Sequence, residues 1–346
     1  MRAFRIHSPG IPPTLEEVPK PVPGPGQVLV KIGGAGLCHS DLHLMDRPEE
    51  LLEMELPFTL GHENAGWVDT LGPGADGLEV GEPVAVYGPW GCGRCRACRG
   101  SAENYCEHQA QLGTFGGGLG SDGGIAEYML VPHARWLIPL GDLDPRDAAP
   151  LTDAALTPYH AIKASLDLLV PGSTAVVIGV GGLGHMAVQI LQALTSARIV
   201  AVDAAAEKLR LASEVGADAT ILAGDGAAER IRERISRNAV EVVIDMVGSD
   251  DSIALGAEVV APTGHLTVVG LGGGAFRFEP FAFPVEARLA SPYWGTAIDL
   301  MDVIALAAAG KIRAHVTRFP LDQVAEAYAA LRSGSLPGRA VICPAG

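Results

Sequence analysis

The chain has 346 residues, of which 48% are hydrophobic and 19% charged, a composition typical of about two folded domains and not of a disordered protein. Its formal net charge of −15 argues against nucleic acid or an anionic membrane surface as a partner, because both bind basic patches. The first residues show no apolar run with a small-residue cleavage site, and the longest apolar stretch is broken by glycines. We therefore expect a cytoplasmic protein without a signal peptide or membrane span.

The N-terminal part of the chain predicts a compact, mostly β domain. Short strand-like runs fill residues 1–35, interrupted by the proline- and glycine-rich segment 19–26, and a clear strand covers 27–32. Further short strands separated by Gly/Pro turns continue to residue 85. Many short strands with such turns favour a barrel-like arrangement.

Cys38, His62 and Glu63 are candidate metal ligands in this domain. A thiolate, an imidazole and nearby carboxylates are ligands that an open catalytic zinc uses, with one position left for water or substrate. A lone cysteine would be interpreted as a small buried core residue. Together with the His-Glu pair downstream, Cys38 instead predicts a catalytic zinc site.

Four of the six cysteines lie within fifteen residues, as Cys92, Cys95, Cys98 and Cys106. Such clustering in a long chain favours a metal over disulfides, and four thiolates at this spacing can close a tetrahedral shell around zinc. An iron–sulfur cluster is the competing interpretation, because ferredoxin-type runs also begin C-x2-C-x2-C. The long spacing to Cys106 favours zinc, in a structural site without an open position. Cys343 is expected in the core.

A glycine-rich turn opens the second half of the chain. After a predicted helix at 153–169, the apolar strand 175–178 runs directly into Gly179-Val180-Gly181-Gly182-Leu183-Gly184, and a helical stretch follows. A second strand ends at Asp203, nineteen residues past Gly184. Backbone amides of such a turn approach a pyrophosphate at the helix N-terminus, and the carboxylate binds an adenosine ribose. The alternative is an ordinary tight βα turn.

Strands and helices then alternate to about residue 269, which predicts a doubly wound parallel sheet. Helices near 298–309 and 322–333 and a strand near 340–342 complete the chain. The predicted fold class is α/β, with a Rossmann domain beside a mostly β domain.

Taken together, these stretches resemble the zinc-containing medium-chain alcohol dehydrogenases over nearly the whole chain. Gly61–Gly66 followed by Gly72 match the zinc signature of that family, and the four-cysteine lobe and glycine turn match in order and distance. The segments at 87–93, 151–160 and 292–296 are similar to bacterial NADH-dependent secondary-alcohol dehydrogenases and aryl-ketone or phenylacetaldehyde reductases. The resemblance implies a GroES-like catalytic domain at 1–154 and 295–346, with its zinc lobe at 90–108, and an NAD-binding domain at 155–294.

The resemblance also implies a role for individual residues. Cys38, His62 and Asp153 would hold the catalytic zinc, with Glu63 as a possible exchange ligand and Asp41 orienting His62. Ser40 and His43 would relay the proton. NAD(H) would be contacted by these residues: His39, Gly179, Gly181, Gly182, Leu183, Gly184, Asp203, Lys208, Val247, Val269, Gly270, Leu271 and Arg339.

The expected substrate is a small hydrophobic alcohol or ketone. The candidate lining is apolar and aromatic, and consists of Met54, Trp90, Leu119, Phe281 and Trp294. A polyol or formaldehyde dehydrogenase of the same fold is the alternative enzyme, although polyol enzymes favour polar pockets. A zinc-ribbon protein that binds nucleic acid is the alternative from another class, and the net charge argues against it. The resemblance further implies a homo-oligomer, a tetramer rather than a dimer.

Overall fold

The computed structural model describes residues 1–47, 54–235, 240–279, 281 and 283–344. These form two compact units. The first comprises Met1–Ala154, Gly295–Ala308 and Val316–Gly346, and the second comprises Ala155–Trp294 and Ala309–His315. Within the described residues, no helix combines the length and apolar character needed to cross a bilayer.

The described part of the chain contains the following elements. The strands are β1 (Arg2–Ile6), β2 (Thr14–Glu17), β3 (Val28–Gly36), β4 (Phe58–Thr59), β5 (Glu63–Leu71), β6 (Pro83–Val86), β7 (Gly116–Gly117), β8 (Gly120–Ser121), β9 (Tyr128–Val131), β10 (Leu137–Pro139), β11 (Thr174–Ile178), β12 (Arg198–Asp203), β13 (Ala219–Leu222), β14 (Val240–Asp245), β15 (Val260–Val268), β16 (Arg288–Ala290), β17 (Val316–Pro320) and β18 (Arg339–Cys343). The helices are α1 (His39–Asp46), α2 (Arg96–Arg99), α3 (Gln109–Leu112), α4 (Pro145–Ala148), α5 (Leu156–Lys163), α6 (Gly184–Leu194), α7 (Ala206–Glu214), α8 (Ala227–Arg232), α9 (Asp250–Val259), α10 (Ala297–Ala308) and α11 (Val324–Arg332).

The first unit is organised on strand β3. Eight of its nine residues are buried, and it pairs antiparallel with β5, β9 and β18 within a sheet of order β10-β6-β5-β3-β18-β17. Its C-terminal residue, Gly36, lies opposite Glu63 at the start of β5. A Cβ atom at Gly36 would overlap the Glu63 carboxylate, so only glycine allows this close approach. The register brings the loop after β3 next to the loop before β5.

The second unit is a parallel sheet. Its strand order is β13-β12-β11-β14-β15-β16, with every neighbouring pair parallel. This is the strand order of a dinucleotide-binding Rossmann fold. The central strand β11 is buried at all five positions, because helices cover both faces of such a sheet and its strands become continuous apolar runs. The predicted fold class is confirmed.

The predicted helix at 153–169 is shorter in the structure. Residues Ala149–Thr152 form a 3-10 turn, and Asp153 follows with the non-helical backbone angles φ −143° and ψ −58°. Only Leu156–Lys163 is helical. The backbone at Asp153 therefore interrupts the predicted run before the helix begins.

The glycine turn between β11 and α6 is sterically constrained at both ends. Gly179 has φ +86°, and a Cβ there would lie 2.6 Å from the Val247 side chain. A Cβ at Gly184 would overlap the Gly179 carbonyl oxygen, whereas at Gly181 it would meet no atom within 4 Å. Gly184 is thus needed for close packing of α6 on the end of β11, Gly179 allows the close approach of Val247, and Gly181 faces open space.

We expect Gly184→Ala to destabilise the second unit by about 1–3 kcal/mol, because the added methyl group forces the helix away from the turn. The measurement is the midpoint of thermal unfolding. Gly181→Ala is the matched control and should unfold close to the wild-type temperature. Equal midpoints for Gly184→Ala and wild type would contradict the packing described here.

Candidate active site

Four potential ligands meet in the first unit: Cys38, His62, Glu63 and Asp153. Their ligand atoms all lie within 4.8 Å of one another, and all four residues are buried. Strands β3 and β5 bring the first three together, since Cys38 follows β3 and His62 precedes β5. Asp153 arrives from the 3-10 turn Ala149–Thr152, which packs against both strands.

The distances fit a tetrahedral zinc ion. Oδ2 of Asp153 lies 3.7 Å from Sγ of Cys38 and 3.6 Å from Nε2 of His62. Ligand atoms around a tetrahedral zinc lie about 3.3–3.5 Å apart, given bonds of ~2.0 Å to nitrogen or oxygen and ~2.3 Å to sulfur. These two distances exceed the values in a zinc site by only a few tenths of an ångström, and three protein ligands would leave a fourth position for water or substrate.

Asp41 holds His62 from behind. Its Oδ1 lies 3.0 Å from Nδ1 of His62, and its Oδ2 accepts from the backbone N–H of Cys38 at 3.0 Å. One carboxylate thus orients two of the candidate ligands, a common arrangement behind metal-bound histidines. Burial opposes protonation of His62, but the Asp41 charge and contacts with Asp153 and Cys38 raise the pKa of His62 well above its ordinary value. The surroundings favour positive charge at this position.

Glu63 is engaged by Arg339 from β18. Nε of Arg339 donates to Oε2 of Glu63 at 2.9 Å, and Nη2 donates to Oε1. Nη2 also lies 3.6 Å from Oδ2 of Asp153. Burial raises the pKa of Glu63 to about 7, against the opposing effect of Arg339. This two-point ion pair engages both carboxylate oxygens of Glu63, while Oδ2 of Asp153 faces both Cys38 and His62.

The family resemblance alone assigns Arg339 to the cofactor. The structure gives its buried guanidinium a different set of partners, the carboxylates of Glu63 and Asp153. The signal for this pair was an arginine directly before the apolar run 340–343 of the last strand, because an arginine buried with such a strand requires a counterion. A contact with the cofactor stays a prediction.

The second group of ligands is the four-cysteine lobe. The Sγ atoms of Cys92, Cys95, Cys98 and Cys106 lie within 4.8 Å of one another. Cys92 and Cys98 are separated by 4.0 Å, close to the ~3.8 Å expected between two thiolates of a tetrahedral zinc site. Backbone N–H groups of Cys95 and Cys98 point to the sulfur three residues earlier, at 3.4 and 3.5 Å.

Local hydrogen bonds favour the thiolate form of two of these cysteines. The backbone N–H of Arg94 lowers the pKa of Cys92 to about 6, and that of Cys98 lowers the pKa of Cys95. Burial raises the pKa of Cys98. Zinc binding requires all four to be thiolates, and the lobe supplies backbone donors that stabilise that charge.

The predicted proton-relay residues lie on helix α1. The Ser40 hydroxyl lies 3.6 Å from Sγ of Cys38, so it is adjacent to the ligand set. His43 follows one helical turn later and is exposed, as is His39 at the start of the helix. The structure thus brings Ser40 to the ligands, and the roles of His43 and His39 stay predictions.

In the second unit, a cleft of about 930 Å³ lies at the C-terminal ends of the parallel strands. Its lining includes Gly179, Asp203, Lys208 and Val247. The carboxylate of Asp203 accepts from the backbone N–H of Val180 at 2.7 Å and of Ala205 at 2.9 Å. The predicted ribose-binding carboxylate is therefore directly linked to the glycine turn.

Other predicted cofactor residues lie near the end of β14. Val247 and Leu271 are exposed, while Val269 and Gly270 are half-buried, and the last two donate their N–H groups to the Asp245 carbonyl. The sequence analysis missed Asp245 itself. Its fully buried carboxylate accepts from the N–H groups of Val247 and Gly248 and from the Ser252 hydroxyl, so it fixes the loop that borders the cleft.

Comparison with known proteins identifies the family. The model of the alcohol dehydrogenase GroES-like domain matches residues 24–142, and that of the zinc-binding dehydrogenase domain matches residues 182–308. An NAD-dependent alcohol dehydrogenase of Sulfurisphaera tokodaii is 38% identical, covering 99% of this chain and 100% of its own. The chain belongs to the zinc-containing medium-chain alcohol dehydrogenases.

Members of this family that resemble the chain differ in substrate and cofactor. D-arabinose 1-dehydrogenase (NADP(+)) of Saccharolobus solfataricus is 35% identical, covering 96% of this chain and 95% of its own. The structure of acetophenone reductase from Geotrichum candidum in complex with NAD is similar with a TM-score of 0.85 and 31% identity, covering 99% and 97% of the two chains. Family membership makes this chain an oxidoreductase acting on alcohols. Its preference for a particular substrate and cofactor depends on its own residues, because these relatives differ in both.

The predicted pocket residues of this alcohol dehydrogenase lie in both units. In the first unit, Trp90 is buried and stacks on Trp136 with ring centroids 5.2 Å apart, while Met54 and Leu119 are half-buried. In the second unit, Trp294 is buried but Phe281 is 94% exposed. Trp90 therefore has a packing role of its own, and an exposed ring such as Phe281 is not part of an enclosed wall within its unit. The substrate contacts of all five stay predictions.

We expect Arg339→Leu to destabilise the zinc-loaded enzyme by about 3–5 kcal/mol, because it leaves the Glu63 carboxylate buried without its cation. The free energy of unfolding, measured by denaturant titration, tests this. The double variant Glu63→Leu/Arg339→Leu removes both charges and should recover most of the loss. A double variant less stable than Arg339→Leu would contradict the assignment of these two residues as mutual partners.

Proposed function

We propose that this alcohol dehydrogenase interconverts hydrophobic secondary alcohols, and some primary ones, with ketones or aldehydes, using NAD(H) and two zinc ions per chain. The observation that carries the proposal is the approach of Asp153 to both Cys38 and His62, at 3.7 and 3.6 Å. These three residues hold the catalytic zinc. The first unit is the catalytic domain and the second is the NAD-binding domain.

Asp153 takes the place of a cysteine found in many relatives. A carboxylate is an ordinary zinc ligand, and a thiolate, a carboxylate and a neutral imidazole together balance the two charges of the ion. Glu63 is a weaker candidate because its carboxylate is paired with Arg339, although exchange onto the metal requires only a short movement. The four-cysteine lobe holds the second, structural zinc.

A zinc ion held by Cys38, His62 and Asp153 would supply an electrophile for the substrate oxygen, and a bound nicotinamide would supply or accept the hydride. The residues around them position and move protons. Asp41 fixes the ring of His62 so that Nε2 faces Asp153. The Ser40 hydroxyl, beside Cys38, exchanges the proton of the substrate hydroxyl, and His43 carries it onward toward solvent.

The selection of NAD(H) over NADP(H) follows from the charge of the adenosine cleft. Asp203 ends strand β12, where its carboxylate can accept from the ribose hydroxyls. Four further carboxylates line the same cleft, those of Asp225, Glu229, Asp251 and Glu258. Lys208 is the one cation among the described lining residues. A 2′-phosphate would meet mostly negative charge.

Two features of the protein as a whole are also proposed: the cytoplasmic location expected in the sequence analysis, and the assembly implied by the family resemblance, a homo-oligomer that is a tetramer rather than a dimer. Equilibrium sedimentation gives the oligomeric state directly.

A kinetic panel tests the proposed substrate class. With NAD⁺ we expect kcat/KM for small aryl or aliphatic secondary alcohols to exceed that for pentoses and formaldehyde by at least about tenfold, a difference of ~1.4 kcal/mol in transition-state binding. The reason is the apolar predicted lining, which leaves the hydroxyl groups of a sugar without hydrogen-bond partners. A preference for a pentose or for formaldehyde would favour the alternative enzymes.

Metal analysis tests the ligand assignment. The purified enzyme should contain close to two zinc equivalents, and Asp153→Ala should lose one of them together with activity, because only two protein ligands remain. Cys98→Ser is the matched control, which should affect the structural site. Full zinc content and retained activity in Asp153→Ala would refute the assignment and indicate Glu63 instead.

Cofactor kinetics test the role of Asp203. We expect at least about a hundredfold preference in kcat/KM for NADH over NADPH, since a like-charge contact costs a few kcal/mol and each 1.4 kcal/mol is about tenfold. Asp203→Ser should erode this preference mostly through weaker NADH binding. Asp225→Asn changes another carboxylate of the same cleft and should change the ratio less. Equal efficiency of wild type with both cofactors would contradict the proposed ribose contact.

A further inference from the structure

The most buried polar residue next to the glycine turn is His185, in the first turn of α6. It is 0% exposed. Burying an imidazole in an apolar helix face costs free energy unless its nitrogens are hydrogen-bonded. Both nitrogens have backbone partners in the second unit. Nδ1 lies 3.0 Å from the carbonyl oxygen of Gly181, and Nε2 lies 3.1 Å from the backbone nitrogen of His315.

These contacts define the protonation state of His185. The backbone N–H of His315 can only donate, so Nε2 must be the unprotonated acceptor. Nδ1 then carries the proton and donates it to the Gly181 carbonyl. The neutral Nδ1–H tautomer is the one form that satisfies both contacts.

The Gly181 carbonyl is held by two donors of the same residue. Besides Nδ1, the backbone N–H of His185 donates to it at 3.2 Å. A peptide unit is planar and trans, so a carbonyl drawn toward α6 makes the N–H of Gly182 point in the opposite direction, away from the helix. The first N–H groups of a helix have no partner within it. A Cβ at Gly181 would meet no atom within 4 Å, so that side of the turn is open.

We propose that His185 is a positioning residue for the cofactor: it fixes the Gly181–Gly182 peptide so that the Gly182 N–H is presented to the dinucleotide pyrophosphate. This rests on the proposed use of NAD(H). His185 does not touch the cofactor, and its effect is transmitted through the orientation of one peptide. The backbone of His315 in turn holds the imidazole in place.

A purely structural role is the competing explanation, in which His185 only attaches residues 313–315 to α6. Gln189, one turn further along the helix, does that in parallel. Its amide accepts from the N–H of Arg313 at 2.9 Å and donates to the carbonyl of Arg313 at 3.0 Å. Gln189 binds the same segment without contacting Gly181, which makes it a matched control.

Two isosteric variants separate the functions of the two ring nitrogens. The side-chain amide introduced by His185→Asn would lie near the position of Nδ1 and can still donate to Gly181. The amide introduced by His185→Gln reaches the position of Nε2 and can accept from His315, but it provides no donor at Nδ1. The probes are ADP-ribose, which contains the pyrophosphate, and adenosine, which lacks it, both measured as inhibitors competitive with NADH.

We expect His185→Gln to raise the inhibition constant of ADP-ribose about tenfold, the effect of one hydrogen bond to a charged group, and to leave that of adenosine within about twofold. His185→Asn should keep ADP-ribose within about threefold of wild type. Gln189→Leu should lower the unfolding temperature without changing the ratio of the two constants. Equal weakening of both ligands, or no difference between His185→Asn and His185→Gln, would overturn the proposal.

A measurement on the wild-type protein tests the proposed hydrogen bond from Nδ1 of His185 to the Gly181 carbonyl. The ¹⁵N chemical shifts of histidine-labelled enzyme, assigned by comparison with His185→Asn, should show the Nδ1–H tautomer for His185. The Nε2–H tautomer would overturn the proposed contact. Absence of ADP-ribose binding by the wild type would overturn the proposed function and this inference with it, whereas normal wild-type binding with unchanged variants would overturn the inference alone.

Discussion

The charge balance of one small buried volume constrains the first unit. Asp41, Glu63 and Asp153 lie there together with the thiol of Cys38. Burying several negative groups is prohibitively costly unless cations and hydrogen bonds compensate them. Arg339 compensates Glu63, and backbone and imidazole N–H groups engage Asp41. The remaining pair, Cys38 and Asp153, faces His62, and the zinc ion proposed here would supply the cation that this pair requires.

This balance depends on the register of β3 and β5. Pairing of Gly36 with Glu63 sets the separation between the loops that carry Cys38 and His62. A side chain at Gly36 would occupy the volume of the Glu63 carboxylate. Strand β3 can therefore approach Glu63 this closely only because position 36 is a glycine. Strand β18 pairs with the same end of β3 and brings Arg339 to Glu63. The register of the sheet therefore sets the positions of the short loops that carry the candidate ligands Cys38 and His62, and of the Arg339–Glu63 pair.

The second unit depends on backbone sterics and backbone hydrogen bonds, whereas the first depends on a balance of buried charges. Its glycine turn is defined by local sterics at Gly179 and Gly184, and its polar contacts are made mostly through backbone groups. Asp203 accepts from the N–H of Val180, and His185 donates to the carbonyl of Gly181. Two buried side chains thus hold adjacent backbone groups of the turn, the N–H of Val180 and the carbonyl of Gly181. A binding surface composed of peptide groups requires this support, because the orientation of each peptide determines whether its N–H group faces the ligand.

The sequence by itself determined the features that depend on short-range spacing and local periodicity. These are the four-cysteine lobe, the strand–turn–helix signature of the glycine turn with Asp203 beyond it, the α/β class, and Cys38 with His62 and Glu63 as a candidate metal site. Each of these features can be predicted from the sequence because its residues are neighbours along the chain or follow a fixed period. The family resemblance implied Asp153, but only the tertiary structure placed its carboxylate 3.7 Å from Cys38 and 3.6 Å from His62. Only the tertiary structure also showed that Arg339 pairs with Glu63 across 276 positions of sequence. It also decided that Phe281 is exposed, and that His185 reaches both Gly181 and His315. Such outcomes depend on sheet register and on competition among buried charges, which are properties of the packed chain and have no local sequence pattern.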